Sequence, residues 1–139
     1  FIFSVKRDLL YTENDVWAKI ENDHFRVGIT DYFQRRGGDI IYMEPPKVDS
    51  KVKRLEEIVK LETIKTVLSV CSPLDGTVFD VNSILASRPE KINEDPYGEG
   101  WLVLITPSNL KEDLERLLTA EKYFEMMGSK IHKELKRVR

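Results

Sequence analysis

The sequence predicts a small, mainly β fold, a sandwich or barrel, with helices gathered toward the C-terminus. Three observations carry this: short apolar and polar alternations fill the first two thirds, turn residues separate them, and leucines at helical spacing follow. "VWAKIE" and "HFRVGIT" are the first alternating stretches, with Phe25, Val27 and Ile29 on one face of the second. "TDYFQRRGG" interrupts them. Thr30 suits the cap of a short helix, Asp31 its positive end, and Gly37 or Gly38 the left-handed residue that stops it. "DIIYME" returns to strand, as does "GTVFDVN" after the turn residues of "SPLDG". "VNSILASRPE" predicts one or two helical turns, capped by Asn82 or Ser83 and ending before Pro89. "WLVLI", Trp101 to Ile105, is the most apolar strand candidate, predicted to be buried on both faces or nearly so. In "PSNLKEDLERLL", Leu110, Leu114, Leu117 and Leu118 form a stripe by which a helix packs, with Asn109 and Glu112 as a capping box. "AEKYFEMM" continues after Thr119, and Gly128 is predicted to terminate it. "SKIHKELKRVR" then sets Ile131, Leu135 and Val138 along one side of a basic segment.

A chain of 139 residues fits one domain with a single core. Its 22 basic and 24 acidic residues create no overall field that attracts a nucleic-acid backbone, so no nucleic-acid partner is expected. Cys71 is the only cysteine, which rules out an intrachain disulfide and a cysteine-rich metal site; His24 and His132 are too few for a histidine cluster. This composition predicts a cytoplasmic protein. No apolar run approaches the roughly 18–20 residues of a membrane span, and "FIFSVKRDLL" lacks the apolar core and cleavage site of a signal peptide, so no membrane association is expected. Because the chain begins with Phe1 rather than Met, an upstream segment is left open. Paired acid and base, activated nucleophile and phosphate loop are all missing from the pattern, which predicts a non-catalytic protein.

"LETIKTVL" places Lys65 inside a β-branched stretch, three residues after Glu62. On its own this reads as a solvated hairpin lysine. With "GITDYFQRRGGDIIYMEPP", "ETIK", "SPLDGTVFDVN" and "INEDPYGEGWL" in that order, the chain resembles the glycine cleavage system H protein family over roughly residues 11–127. The resemblance implies a flattened β sandwich of the biotinyl/lipoyl type (barrel-sandwich hybrid) over residues 1–128, with 129–139 as a basic amphipathic extension. It also implies lipoate in amide linkage on Lys65, at a hairpin tip, with Glu62 in the segment read by the lipoylating enzyme. Ile64 and Thr66 stand where biotin carriers have paired methionines, which favours lipoate. The arm would shuttle an aminomethyl intermediate and electrons among glycine decarboxylase, aminomethyltransferase and dihydrolipoyl dehydrogenase.

The chain also departs from the family. A "HEW"-type motif is replaced in "YTENDVWAKI", where Val16 takes the position of the glutamate that helps hold the aminomethyl amine, and Asp15 that of the histidine. The aspartate usually four residues after the lipoyl lysine is Ser69. Asn14, Val16 and Ser69 are therefore the candidate arm-cleft positions, with Asn14 or Asp15 as substitutes if the strand register shifts. The missing carboxylates leave an alternative: an H-like lipoate-binding protein that carries sulfur intermediates with a heterodisulfide-reductase-like complex. A second alternative is an unlipoylated interaction protein that binds through its basic tail. Milder departures are Leu55 at a usual turn glycine, Lys60 at a usually apolar position and Gly37 in place of a leucine. Cys71 is expected to be a packed side chain and His24 a turn residue.

Overall fold

A computed structural model of the chain describes residues 2–138, and side chains through residue 132. Among the described residues, nine strands form two antiparallel sheets. The larger is ordered β1 (Leu10–Tyr11), β2 (Val16–Glu21), β3 (His24–Ile29), β9 (Val103–Pro107), β8 (Gly76–Val81) and β5 (Lys51–Val52). The smaller is ordered β4 (Ile40–Glu44), β6 (Glu57–Thr63) and β7 (Val67–Cys71). Val16, Phe25, Val27, Ile29, Leu61, Val70, Val78 and Ile105 are among the residues that fill the core. The alternation in β3 puts Phe25, Val27 and Ile29 inside, as the sequence predicted.

Helix α1 (Asp31–Gly37) follows β3 with its predicted caps: Thr30 Oγ1 accepts the Phe33 N–H at 3.2 Å, and Gly38 closes the helix at φ 87°. A short 3-10 turn (Ser83–Ala86) and α2 (Lys91–Glu94) lie between β8 and β9. Asn82 is not its side-chain cap; its amide donates to the carbonyls of Glu99 (2.9 Å) and Trp101 (2.8 Å).

Across Trp101–Ile105, Leu102, Val103 and Ile105 are fully buried and Trp101 and Leu104 half-buried, the near-complete burial that the sequence predicted. Three expectations fail for tertiary reasons. In α3 (Leu110–Arg116), Leu110 and Leu114 are 37% and 41% exposed, while Asp113 is buried. Asp113 Oδ2 accepts the Asp75 N–H at 2.7 Å, tying α3 to the turn before β8 by a polar anchor rather than a leucine stripe. The capping box is likewise replaced, since Asn109 makes no cap to the backbone and instead donates to Glu112 Oε2 at 3.0 Å. Finally, α4 (Ala120–Val138) passes through Gly128 without stopping. Ala120, Tyr123, Met127 and Ile131 recur at helical spacing and pack with Leu9, Tyr11, Trp17 and Tyr32, which outweighs the roughly 1 kcal/mol that an internal glycine costs. The side chains of Leu135 and Val138, and of Lys133, Lys136, Arg137 and Arg139, lie outside the described residues.

Candidate functional site

Lys65 sits between β6 and β7, at the tip of a hairpin, and is exposed. Thr63 builds the tip. Its N–H donates to the Thr66 carbonyl at 2.9 Å, and its Oγ1 accepts the N–H groups of Lys65 (3.3 Å) and Thr66 (3.1 Å). A threonine hydroxyl closing a turn this way supplies what a glycine turn would supply through its backbone freedom. No residue of the tip has positive φ. Among the described residues the Lys65 ammonium has no hydrogen-bond or ion-pair partner, and its neighbours Ile64 and Val67 are 85% and 53% exposed.

The tip end of the hairpin is braced by a residue distant in sequence. Asn93 Oδ1 accepts the Ile40 N–H at 2.8 Å, and its amide donates to Gly38 O (2.9 Å) and Gln34 Oε1 (3.1 Å). Ile40 in turn pairs with Thr63. The motif "NEDPYGEGWL" is thus scaffolding: it also accepts Trp17 Nε1–H through the Pro96 carbonyl at 2.9 Å and reaches Ser4 O through the Tyr97 hydroxyl at 2.7 Å.

The outer face of the smaller sheet continues from the tip. Register sets Tyr42, Glu62 and Val67 in one row and Glu44, Lys60 and Ser69 in the next. Glu62 is half-buried between its two neighbours. Ser69 Oγ donates to Glu57 Oε2, and Lys60 Nζ stands 3.8 Å from Glu57 Oε1, a partnership that explains a lysine at position 60. Cys71 is half-buried; burial first, and then the carboxylate of Glu57, push its thiol above the usual cysteine range, so it is a poor nucleophile.

The other candidate positions do not join this face. Val16 is fully buried in the core and pairs with Ile29, whereas Ser69 is exposed. Asn14 is exposed in the turn before β2. Asp15, at φ 65°, is 8% exposed and its carboxylate is occupied: Oδ1 accepts the Tyr123 hydroxyl at 2.7 Å and Oδ2 lies 3.6 Å from Lys130 Nζ. Burial raises its pKa despite both partners. No strand shift brings Asn14 or Asp15 into place, since β2 pairs with β3 in unbroken register. Lys130 also lies 5.3 Å from the Tyr32 ring, which ties this part of the basic tail to the body. His24 stacks on Phe79 with ring centroids 3.8 Å apart, a packed role beyond that of a turn residue. Thr63, Asn93 and Glu57 are the residues that sequence reasoning missed. Only Thr63, two positions before the lysine, carried a local turn signal.

The sequence matches the profile of the Glycine cleavage H-protein family over residues 9–130. The chain belongs to this family. It is 46% identical over 128 residues to the "Probable glycine cleavage system H protein" of Pyrococcus abyssi, covering 91% of this chain and 95% of that protein. It is 40% identical over 123 residues to the glycine cleavage system H protein of Bacillus subtilis, covering 88% and 96%. The crystal structure of a glycine cleavage system H protein from Mycobacterium marinum superposes with a TM-score of 0.79 at 30% identity, covering 89% of this chain and 99% of that one. H proteins are non-catalytic carriers, and membership makes this chain one. The two-sheet fold with its C-terminal helix matches the mycobacterial structure. Among the described residues no group of three or more His, Cys, Asp or Glu is placed to hold a metal ion, and no helix is long and apolar enough to cross a membrane.

Proposed function

We propose that Lys65 bears lipoate in amide linkage and that the chain carries an aminomethyl group and electrons among glycine decarboxylase, aminomethyltransferase and dihydrolipoyl dehydrogenase. The observation that supports this is an exposed, unpartnered primary amine on a threonine-capped hairpin tip, in a member of the H-protein family. The residues fit the group. Once deprotonated, a lysine amine attacks an activated carboxyl carbon, which an arginine guanidinium does not do because it keeps its proton. When bound, the dithiolane supplies a two-electron disulfide/dithiol couple and a sulfur that holds a one-carbon unit.

The chain's own part is presentation. Thr63 and the Asn93–Ile40 clamp hold the tip fixed, so that the lipoylating enzyme meets a preset amine, with Glu62 three residues away as a recognition contact. Exposed Ile64 and Val67 beside it offer apolar contact to the same enzyme. The reading includes a cytoplasmic setting, which the single cysteine supports.

Peptide mass spectrometry on protein from its native source tests this: a lipoyl group on Lys65 is expected, and none on a Lys65→Arg variant that folds normally. Unmodified Lys65 where other lipoyl proteins are loaded would replace the carrier reading by that of an interaction protein. The adduct on the arm's sulfurs decides the cargo, aminomethyl as proposed here or sulfur as the replaced carboxylates at 16 and 69 allow.

A further inference from the structure

We infer that Glu57 selects a positively charged group at the far end of the arm; this rests on the lipoyl reading of Lys65. Val67 and Ser69 follow Lys65 by two and four residues, and both are exposed on the outer face of β7. Because β7 begins only at Val67, about 3.3 Å per residue puts Ser69 no more than about 13 Å from Lys65. Eleven bonds separate the lysine Cα from the first sulfur-bearing carbon of a lipoyl group, and with ordinary bond lengths of about 1.5 Å the extended arm reaches about 14 Å. Laid along β7, its methylenes cover Val67 and its sulfurs arrive beside Ser69.

What they meet there is Glu57. The break in register between Glu57 and Val59 sets the Glu57 carboxylate against the row of Lys60 and Ser69, where it takes the Ser69 hydroxyl on one oxygen and faces Lys60 with the other. Two partners leave acceptor sites free on a carboxylate that is 41% exposed. Beside it is a hollow of about 220 Å³ lined by Glu44, Pro45, Glu57, Ile58, Val59 and Lys60. Glu44 and Glu57 outweigh the single ammonium of Lys60. An ammonium on the arm is therefore attracted, and an anionic sulfur group is repelled. The carboxylate comes from β6, opposite Ser69, rather than from β7 itself.

The test uses lipoylated Cys71→Ser protein with the arm reduced and alkylated. A phosphine first reduces the dithiolane to its two thiols and is itself oxidised; each thiol, after losing its proton to buffer, displaces bromide from 2-bromoethylamine to leave an alkylammonium that is charged at neutral pH, or iodide from iodoacetate to leave a carboxylate. NMR then follows the Glu57 carboxyl carbon and the amides of Val67 and Ser69. The ammonium adduct is expected to move these signals and the carboxymethyl adduct is not, and Glu57→Gln should cut the docked fraction about threefold to fivefold. Equal responses to the two adducts, or an undiminished response in Glu57→Gln, would overturn the assignment. If intact mass shows no lipoyl group on Lys65, the carrier reading itself falls, and that is seen before any adduct is made.

Discussion

Replacing Tyr123 by phenylalanine removes one oxygen atom from the junction where α4 meets the sandwich. The ring is fully buried and stacks on Tyr11, with centroids 4.5 Å apart and planes 9° from parallel, and phenylalanine keeps that packing. The loss is the hydroxyl, which donates to Asp15 Oδ1 at 2.7 Å and lies 3.1 Å from Thr30 Oγ1. A hydrogen bond to a charged group contributes about 1.5–3 kcal/mol, and here both abandoned partners are buried, which sets the expected cost at about 2–3 kcal/mol. For a chain of this length that is a fall in Tm of roughly 6–10 °C. The cost also depends on pH. Burial holds the Asp15 pKa above its unfolded value, and the Tyr123 hydrogen bond is the largest influence pulling it back. A carboxyl with a raised folded pKa contributes most to stability below the unfolded value, and that contribution is lost as pH rises through the folded pKa. Removing the phenol raises the folded pKa further, so the variant loses most near neutrality and less near pH 4, about the unfolded aspartate value. Thermal unfolding of both proteins at about pH 7 and pH 4 measures this. A fall below about 2 °C at neutrality, or a larger penalty in acid, would refute the reasoning.

Leu55 holds φ 71°, a left-handed conformation that favours glycine, so Leu55→Gly should be more stable than Leu55→Ala by about 1 kcal/mol in chemical denaturation, the reverse of the usual order. Asn93→Ala leaves the Ile40 N–H without its acceptor; a loss of about 1–3 kcal/mol and faster amide hydrogen exchange at Thr63 and Thr66 are expected, and unchanged exchange would show that the clamp does not reach the tip. Val16→Glu places a carboxylate at a fully buried core position and should cost at least about 3 kcal/mol; a soluble variant with wild-type Tm would mean that residue 16 has access to solvent.

Where neighbouring residues settle a structure, the sequence was sufficient to read it. β2 and β3 run over the stretches picked out by alternation, and Thr30, Asp31 and Gly38 cap α1 as their chemistry requires. Reading failed where distant partners decide. Nothing around Gly128 announces that Tyr123, Met127 and Ile131 find Tyr11 and Tyr32 to pack on, nor that Asp113 is held by the backbone of Asp75. Lys65 was legible as the candidate attachment lysine through resemblance, because "ETIK" stands in order among longer matching stretches. Its support was not: the Asn93 clamp spans 53 residues, and Glu57 reaches Ser69 only because the β6–β7 register breaks beside it.

That division has a physical consequence for how family and cargo are decided. The stretch "NEDPYGEGWL", one of those that carry the resemblance, supplies Asn93, the Pro96 carbonyl and Tyr97, all of which hold chain segments together. None of these contacts involves Lys65. On the reading proposed above, cargo is met by exposed side chains on the outer face of β6 and β7, where a substitution changes charge without disturbing the core. Ser69 and Lys60 stand there, and Glu57 partners both. Likeness in the scaffold therefore speaks for membership, while the proposed preference for a cationic cargo rests on side chains free to vary, and Glu57 is the one to change when testing it.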